Sequence, residues 1–138
     1  MSLLVGASLA FIVGVLATRI GLDRERGFYP TVTIVIGTYY VLFAVMCGSS
    51  HSLLIESAVL VPFLVAAVAG FKKTPWILVA ALAAHGTLDV IHPHVISNPG
   101  VPLWWPDFCL AYDLVAAGYL ASALIRARGR VLAVGDAV

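Results

Sequence analysis

The segment from residue 85 to residue 92 carries three ionisable side chains that fall on one side of a predicted helix. His85, Asp89 and His92 are spaced i, i+4 and i+7, and at about 100° per residue this spacing brings them into a narrow sector of the helix surface. The preceding residues, 74–84, are almost entirely apolar and indicate a membrane span. An aspartate at mid-membrane costs roughly 2.5–3.5 kcal/mol on insertion scales, so it is rarely retained without a partner, a pore or chemistry. These three side chains therefore predict a functional site.

The composition indicates a membrane protein. Of its 138 residues, 62% are hydrophobic and only 11% are charged, and the mean hydropathy is +1.03. A soluble domain is nearer half apolar and a quarter charged. The net charge of +1 gives no reason to expect a nucleic acid as partner.

Five stretches of about 20 apolar residues predict an all-α integral membrane bundle that forms a single domain over residues 1–138. They lie near residues 3–22, 31–49, 53–71, 75–92 and 107–125. Residues 126–138 are expected to form a cytoplasmic tail whose end is frayed.

The basic residues predict the orientation of this bundle. With five spans, all eight Lys and Arg residues fall on one side, which the positive-inside rule makes cytoplasmic. We therefore expect a multi-pass membrane protein with the amino terminus outside and the carboxyl terminus inside.

The same topology gathers the unusual polar residues in the outer half of the membrane. At 1.5 Å per residue, Glu56 in the third span and Asp113 in the fifth lie at similar depths below the outer surface. The set comprises every histidine of the chain and four carboxylates: His51, Glu56, His85, Asp89, His92, His94, Asp107 and Asp113.

These side chains are of the types that bind transition metals. Imidazole and carboxylate suit zinc and non-haem iron, and copper also accepts imidazole. In helix bundles such ligands project inward from facing helices. We therefore expect a metal centre with His85, Asp89 and His92 on one edge and His51 or Asp113 opposite. The predicted metal is zinc or iron, with copper as an alternative.

Two carboxylates of the set are suited to proton transfer. We expect Glu56 or Asp113 to move the proton, and Glu56 is alternatively a ligand, while the metal acts as a Lewis acid or generates a hydroxide. The sequence thus predicts a metal-dependent membrane enzyme that hydrolyses or oxidises an apolar, lipid-like substrate arriving from the membrane lipid. A homo-oligomer and a subunit of a larger membrane complex are both compatible with this prediction.

Three other readings of these residues stay open. They could be structural polar contacts, each contributing only about 0.6 kcal/mol in membranes. They could form a proton or cation path through Glu56, Asp89 and Asp113. They could also bind haem in an accessory subunit, with His85 and His92 or His51 as axial ligands.

Two further features have alternative structural explanations. Cys47 and Cys109 lie at matched depths, so they could form a disulfide or be small buried residues. Gly6, Ala10 and Gly14 recur every four residues, a pattern typical of close helix packing in a dimer or within the bundle.

The outer connection is expected to lack a regular helix. Four prolines, at positions 93, 99, 102 and 106, interrupt it. Trp104 and Trp105 suit the membrane interface. This stretch could therefore be a lid over the polar set or a plain interfacial anchor.

Four stretches resemble an uncharacterised family of small bacterial integral membrane proteins. They are residues 24–32 (RERGFYPTV), 39–46 (YYVLFAVM), 85–94 (HGTLDVIHPH) and 102–113 (PLWWPDFCLAYD). The resemblance covers residues 20–125 and implies a location in the bacterial inner membrane. The family has no assigned activity, so the resemblance implies no catalytic role for any residue.

Overall fold

Five long helices make up the protein. A computed structural model describes residues 1–135, with side chains as far as residue 129. The regular secondary structure of this part consists of α-helices and one short 3-10 helix, Leu22–Arg24. The helices are α1 Ser2–Ile20, α2 Phe28–Met46, α3 Ser50–Lys72, α4 Trp76–Val95 and α5 Trp105–Gly135. Each is long and apolar enough to cross a membrane. The predicted all-α bundle of five transmembrane helices is thus confirmed.

The helix ends are set by local sequence. Gly21 ends α1 with φ of 85°, a left-handed conformation that glycine adopts without steric cost. Ser49 caps α3, where its hydroxyl oxygen accepts the backbone N–H of Ser52. The first part of the predicted tail, residues 126–135, continues α5 as helix, and residues 136–138 lie outside the described part of the chain.

The connection between α4 and α5 is shorter than predicted. α4 continues through Pro93 to Val95, and Pro106 lies in the first turn of α5, where its missing N–H costs no helical hydrogen bond. The expectation that prolines exclude helix over the whole of residues 93–106 is therefore wrong, and the non-helical connection is residues 96–104.

The order of packing follows from the small residues. α5 packs between α1 and α4, and α3 packs between α2 and α4. A Cβ atom at Gly6 would collide with the backbone carbonyl of Phe108, and one at Gly14 with the ring of Tyr119. The Gly6-Ala10-Gly14 stripe therefore lies inside the bundle, where it allows α1 to approach α5 closely.

The two ends of the bundle differ in character. We call the end that carries His51, His94 and the connection 96–104 the histidine end; there the Ser2 hydroxyl reaches an Asp107 carboxylate oxygen at 3.4 Å. We call the opposite end the basic end. Its basic residues with described side chains are Arg19, Arg24, Arg26, Lys72, Lys73, Arg126 and Arg128.

Candidate metal centre

Three buried ionisable side chains meet between α4 and α5. The His85 Nδ1 lies 2.7 Å from Asp113 Oδ2 and 3.6 Å from Asp89 Oδ2. One ligand atom from each of the three residues lies within 4.8 Å of the others. His85 is 3% exposed, and both aspartates are fully buried. We call this set the central group.

The helix geometry explains why these three residues converge. His85 and Asp89 are one turn apart on the same face of α4. Between them in the chain, Gly86 lets α5 approach, since a Cβ atom there would lie 3.3 Å from both the Leu110 carbonyl oxygen and the Asp113 Cβ. This close contact brings Asp113 against His85.

Each carboxylate of the central group has only one oxygen in a hydrogen bond. Asp89 Oδ1 accepts a hydrogen bond of 2.6 Å from the Tyr40 hydroxyl. Asp89 Oδ2 and Asp113 Oδ1 are buried and have no hydrogen-bond partner among the described residues. Buried carboxylate oxygens without a partner are costly, because they lose water and gain nothing in return. The central group therefore has the ligand types, the proximity and the unsatisfied oxygens of a group that could bind a metal ion.

His92 belongs to a second buried group. Its Nε2 lies 2.8 Å from Glu56 Oε1, and the same oxygen accepts a hydrogen bond of 2.8 Å from Asn98 Nδ2. Both His92 and Glu56 are 2% exposed. We call these three residues the His92 triad. The Glu56 carboxylate orients the imidazole, and Asn98 orients the carboxylate.

The predicted ligand set is thus divided between two groups. His92 shares a helix face with His85 and Asp89, but it lies about 10 Å further along the axis than His85. At that height α3 presents Glu56 to it. Asp113, predicted both as a ligand opposite His85 and for proton transfer, lies in direct contact with His85.

His51, the fourth predicted ligand, points away from both groups. It is exposed in the first turn of α3. Its neighbour Ser52 is buried and donates a hydrogen bond of 2.8 Å to the Ser97 carbonyl. Because Glu56 follows Ser52 by one turn, the inward face of α3 carries those two residues and leaves His51 outside.

Tyr40 connects the two groups. Its hydroxyl donates to Asp89, its ring stacks on the His92 ring at 4.0 Å between centroids, and its carbonyl accepts a hydrogen bond from Asn98. Neither Tyr40 nor Asn98 was among the predicted site residues. The sequence signal for Tyr40 was a tyrosine in the middle of an apolar span, where its hydroxyl needs a partner.

The two cysteines are free thiols. Cys109 is buried in an apolar cluster with Tyr40, Phe43 and Trp105. Cys47 is exposed, and its sulfur lies 3.9 Å from Asn98 Oδ1. The alternative in which they form a disulfide therefore does not apply to this structure.

An apolar groove runs along the bundle on a face formed by three helices. Its volume is about 400 Å³, and α1, α2 and α5 form its walls. It extends from Phe28 to Tyr39, which is about 16 Å along α2. Cys109 lines the groove and lies one helical turn from Asp113. We call this cavity the lateral groove.

In comparisons with protein families, curated proteins and solved structures, no match to this chain was found. The resemblance to a bacterial membrane-protein family therefore stays a prediction.

Proposed function

We propose that the protein is a metal-dependent membrane enzyme that acts on a lipid-like substrate. The observation that carries this proposal is the central group, in which two fully buried carboxylates each keep an oxygen without a partner beside one imidazole. Burying two carboxylates together is unfavourable unless a cation or protons offset their charge. A divalent metal ion would offset it while using both free oxygens.

The ligand types favour zinc or iron. One imidazole and two carboxylates form a mixed nitrogen and oxygen set, which suits these metals better than magnesium, an ion that prefers oxygen alone. Copper(II) also accepts nitrogen and oxygen ligands and is the alternative metal. Three protein ligands also leave a coordination position for water or substrate, as catalytic sites require.

A metal held by His85, Asp89 and Asp113 would supply Lewis-acid chemistry or a hydroxide near neutral pH. The protein residues around it would position and move protons. Tyr40 would hold Asp89 in place through its hydrogen bond. His92, oriented by Glu56, would accept or deliver a proton, as an imidazole beside a carboxylate does in other enzymes.

The lateral groove supports a lipid-like substrate. Its lining side chains are nearly all apolar, so an aqueous metabolite would gain little from it. A chain of hydrocarbon entering from the membrane would instead keep its apolar surroundings. The end of the groove near Cys109 would bring a reactive group of that chain towards Asp113.

Hydrolysis and oxidation are both compatible with this arrangement, and the metal distinguishes them. Zinc has no redox chemistry and would indicate hydrolysis, whereas iron would make oxidation possible. The test is therefore elemental analysis of protein purified in detergent under conditions that do not add or remove metals. We expect about one zinc or iron ion per chain.

Variants show whether the ion lies in the central group. In Asp113→Asn and His85→Ala we expect at least a tenfold loss of bound metal, because each loses a direct ligand. His51→Ala is the matched control, since it removes an exposed histidine and should keep the metal. Wild-type protein without a stoichiometric metal, or equal metal content in all three variants, would refute the proposal.

An ion path is a weaker explanation of the same residues. A path needs polar groups through both halves of the membrane. Among the side chains described, the buried carboxylates and imidazoles all lie towards the histidine end, and the core nearer the basic end is formed by apolar residues such as Leu78, Leu82 and Leu120. Ion flux in liposomes that disappears in Asp89→Asn would favour transport over the enzyme.

A further inference from the structure

A separate cavity lies at the basic end, away from the central group. Its volume is about 210 Å³, and we call it the basic-end pocket. The bundle supplies its apolar wall, which consists of Gly70, Pro75, Leu78, Leu120 and Leu124. The turn between α1 and α2 supplies its charged rim, which consists of Asp23, Arg24, Glu25 and Arg26.

Two buried polar atoms of residues that line this pocket have no partner. Tyr29 is 6% exposed, and its hydroxyl forms no hydrogen bond within the described chain. Asp23 Oδ2 accepts a hydrogen bond of 2.8 Å from the Thr18 hydroxyl, whereas Asp23 Oδ1 is buried and unpaired. Unpaired buried polar atoms need an explanation, because each costs free energy that a ligand would recover.

The charges of the rim indicate the kind of ligand that would fit the pocket. The rim carries two cations and two anions, so it complements a molecule that carries both signs close together. The pocket also lies at the ends of membrane-spanning helices, which is the depth of lipid headgroups. Its apolar wall continues from the charged rim towards the interior, as glycerol and acyl chains would require.

We propose that the basic-end pocket binds the headgroup of a zwitterionic phospholipid with a primary ammonium group, such as phosphatidylethanolamine. The ammonium group donates to Asp23 Oδ1. The phosphate accepts hydrogen bonds from the Tyr29 hydroxyl and from Arg24 or Arg26. The upper part of the acyl chains contacts Leu120 and Leu124.

The proposed contacts predict different affinities for three common phospholipids that carry the same acyl chains. Phosphatidylcholine has a cation without an N–H donor, so it cannot satisfy Asp23 Oδ1. Phosphatidylglycerol has the phosphate but no cation, so it can pair with Arg24 or Arg26 but leaves Asp23 Oδ1 without a cationic donor. Only phosphatidylethanolamine satisfies both the anions and the cations of the rim.

The test is a lipid titration of detergent-purified protein, read by native mass spectrometry, with palmitoyl-oleoyl forms of the three lipids. We expect phosphatidylethanolamine to bind about tenfold more tightly than either other lipid, since hydrogen bonds to charged groups are the strong ones. Asp23→Asn should abolish this preference. The matched control is Asp107→Asn, which removes one carboxylate from the histidine end and should retain the preference.

Tyr29→Phe keeps the test decisive if Asp23→Asn folds poorly. Removing an unpaired buried hydroxyl should leave the lipid-free protein as stable as the wild type or more so, while its affinity for phosphatidylethanolamine falls about threefold to tenfold. Equal binding of the three lipids, tighter binding of phosphatidylglycerol, or unchanged phosphatidylethanolamine affinity in Tyr29→Phe would overturn the proposal. The result is independent of the metal content of the central group.

Discussion

The two halves of the bundle fill the space between their helices in different ways. Towards the histidine end, hydrogen bonds join the helices: Tyr40 to Asp89 between α2 and α4, and His92 to Glu56 between α4 and α3. Towards the basic end the buried contacts are mainly apolar, with Leu82 fully buried among aliphatic and aromatic side chains. The hydrogen bond between the Thr18 and Tyr119 hydroxyls, which joins α1 to α5 there, is exposed. One half is thus polar and the other is a conventional packed core.

This difference indicates that one half stabilises the bundle and the other half carries its function. A hydrogen bond between membrane helices contributes only about 0.6 kcal/mol on average, so the polar half is a poor way to stabilise the fold. The unpaired carboxylate oxygens of the polar half lower the stability of the fold further. The apolar half can therefore hold the helices together while the polar half holds reactive groups in place.

The largest effect should come from the apolar half. Leu82→Ala removes a fully buried side chain and should lower the free energy of unfolding by roughly 2–5 kcal/mol, through lost packing contacts and a cavity. The measurement is reversible unfolding in mixed micelles. Metal bound per folded protein should stay at the wild-type value. A loss of metal without a loss of stability would contradict the division between the halves.

The polar half should show the reverse pattern. Tyr40→Phe removes the hydroxyl that holds Asp89 but keeps the ring that stacks on His92. We expect metal affinity to fall about 10- to 100-fold, as for other residues that orient a ligand, with a small change in unfolding free energy. Competition with a chelator measures the affinity. Tyr39→Phe, one residue earlier in α2, is the matched control and should bind metal as the wild type does.

The bundle could be predicted from the sequence because it depends on composition and length. Five apolar stretches of about 20 residues have few solutions other than five spanning helices. The positions of their ends were less predictable. Pro93 predicts a helix end, yet α4 continues past it for two residues, and α3 contains Pro62 in its interior. Prolines are tolerated within membrane helices where neighbouring groups satisfy the backbone carbonyl that loses its partner.

The site was only partly predictable. The rise per residue placed Glu56 and Asp113 at similar depths, but the structure places them against residues of α4 that lie about 10 Å apart along the helix axis. The spacing of His85, Asp89 and His92 places them on one face of α4, but it does not say which neighbouring helix each one meets. Depth along the helix decides that: Asp113 meets His85, and Glu56 meets His92. Asn98 could not be found in this way, since it lies in a connection without periodicity.

The smallest effect should come from the connection that covers the polar half. Asn98 donates to both Glu56 and the Tyr40 carbonyl, so one side chain attaches residues 96–104 to α3 and α2. Asn98→Ala should cost about 1 kcal/mol of unfolding free energy and should increase hydrogen exchange in residues 96–104 at least severalfold. Ser97→Ala is the matched control, because Ser97 receives its hydrogen bond through the backbone carbonyl and that bond survives the substitution. If exchange rises equally in both variants, the connection is held by its backbone contacts. If it rises only in Asn98→Ala, the hydrogen bonds of the Asn98 side chain hold the connection against α2 and α3.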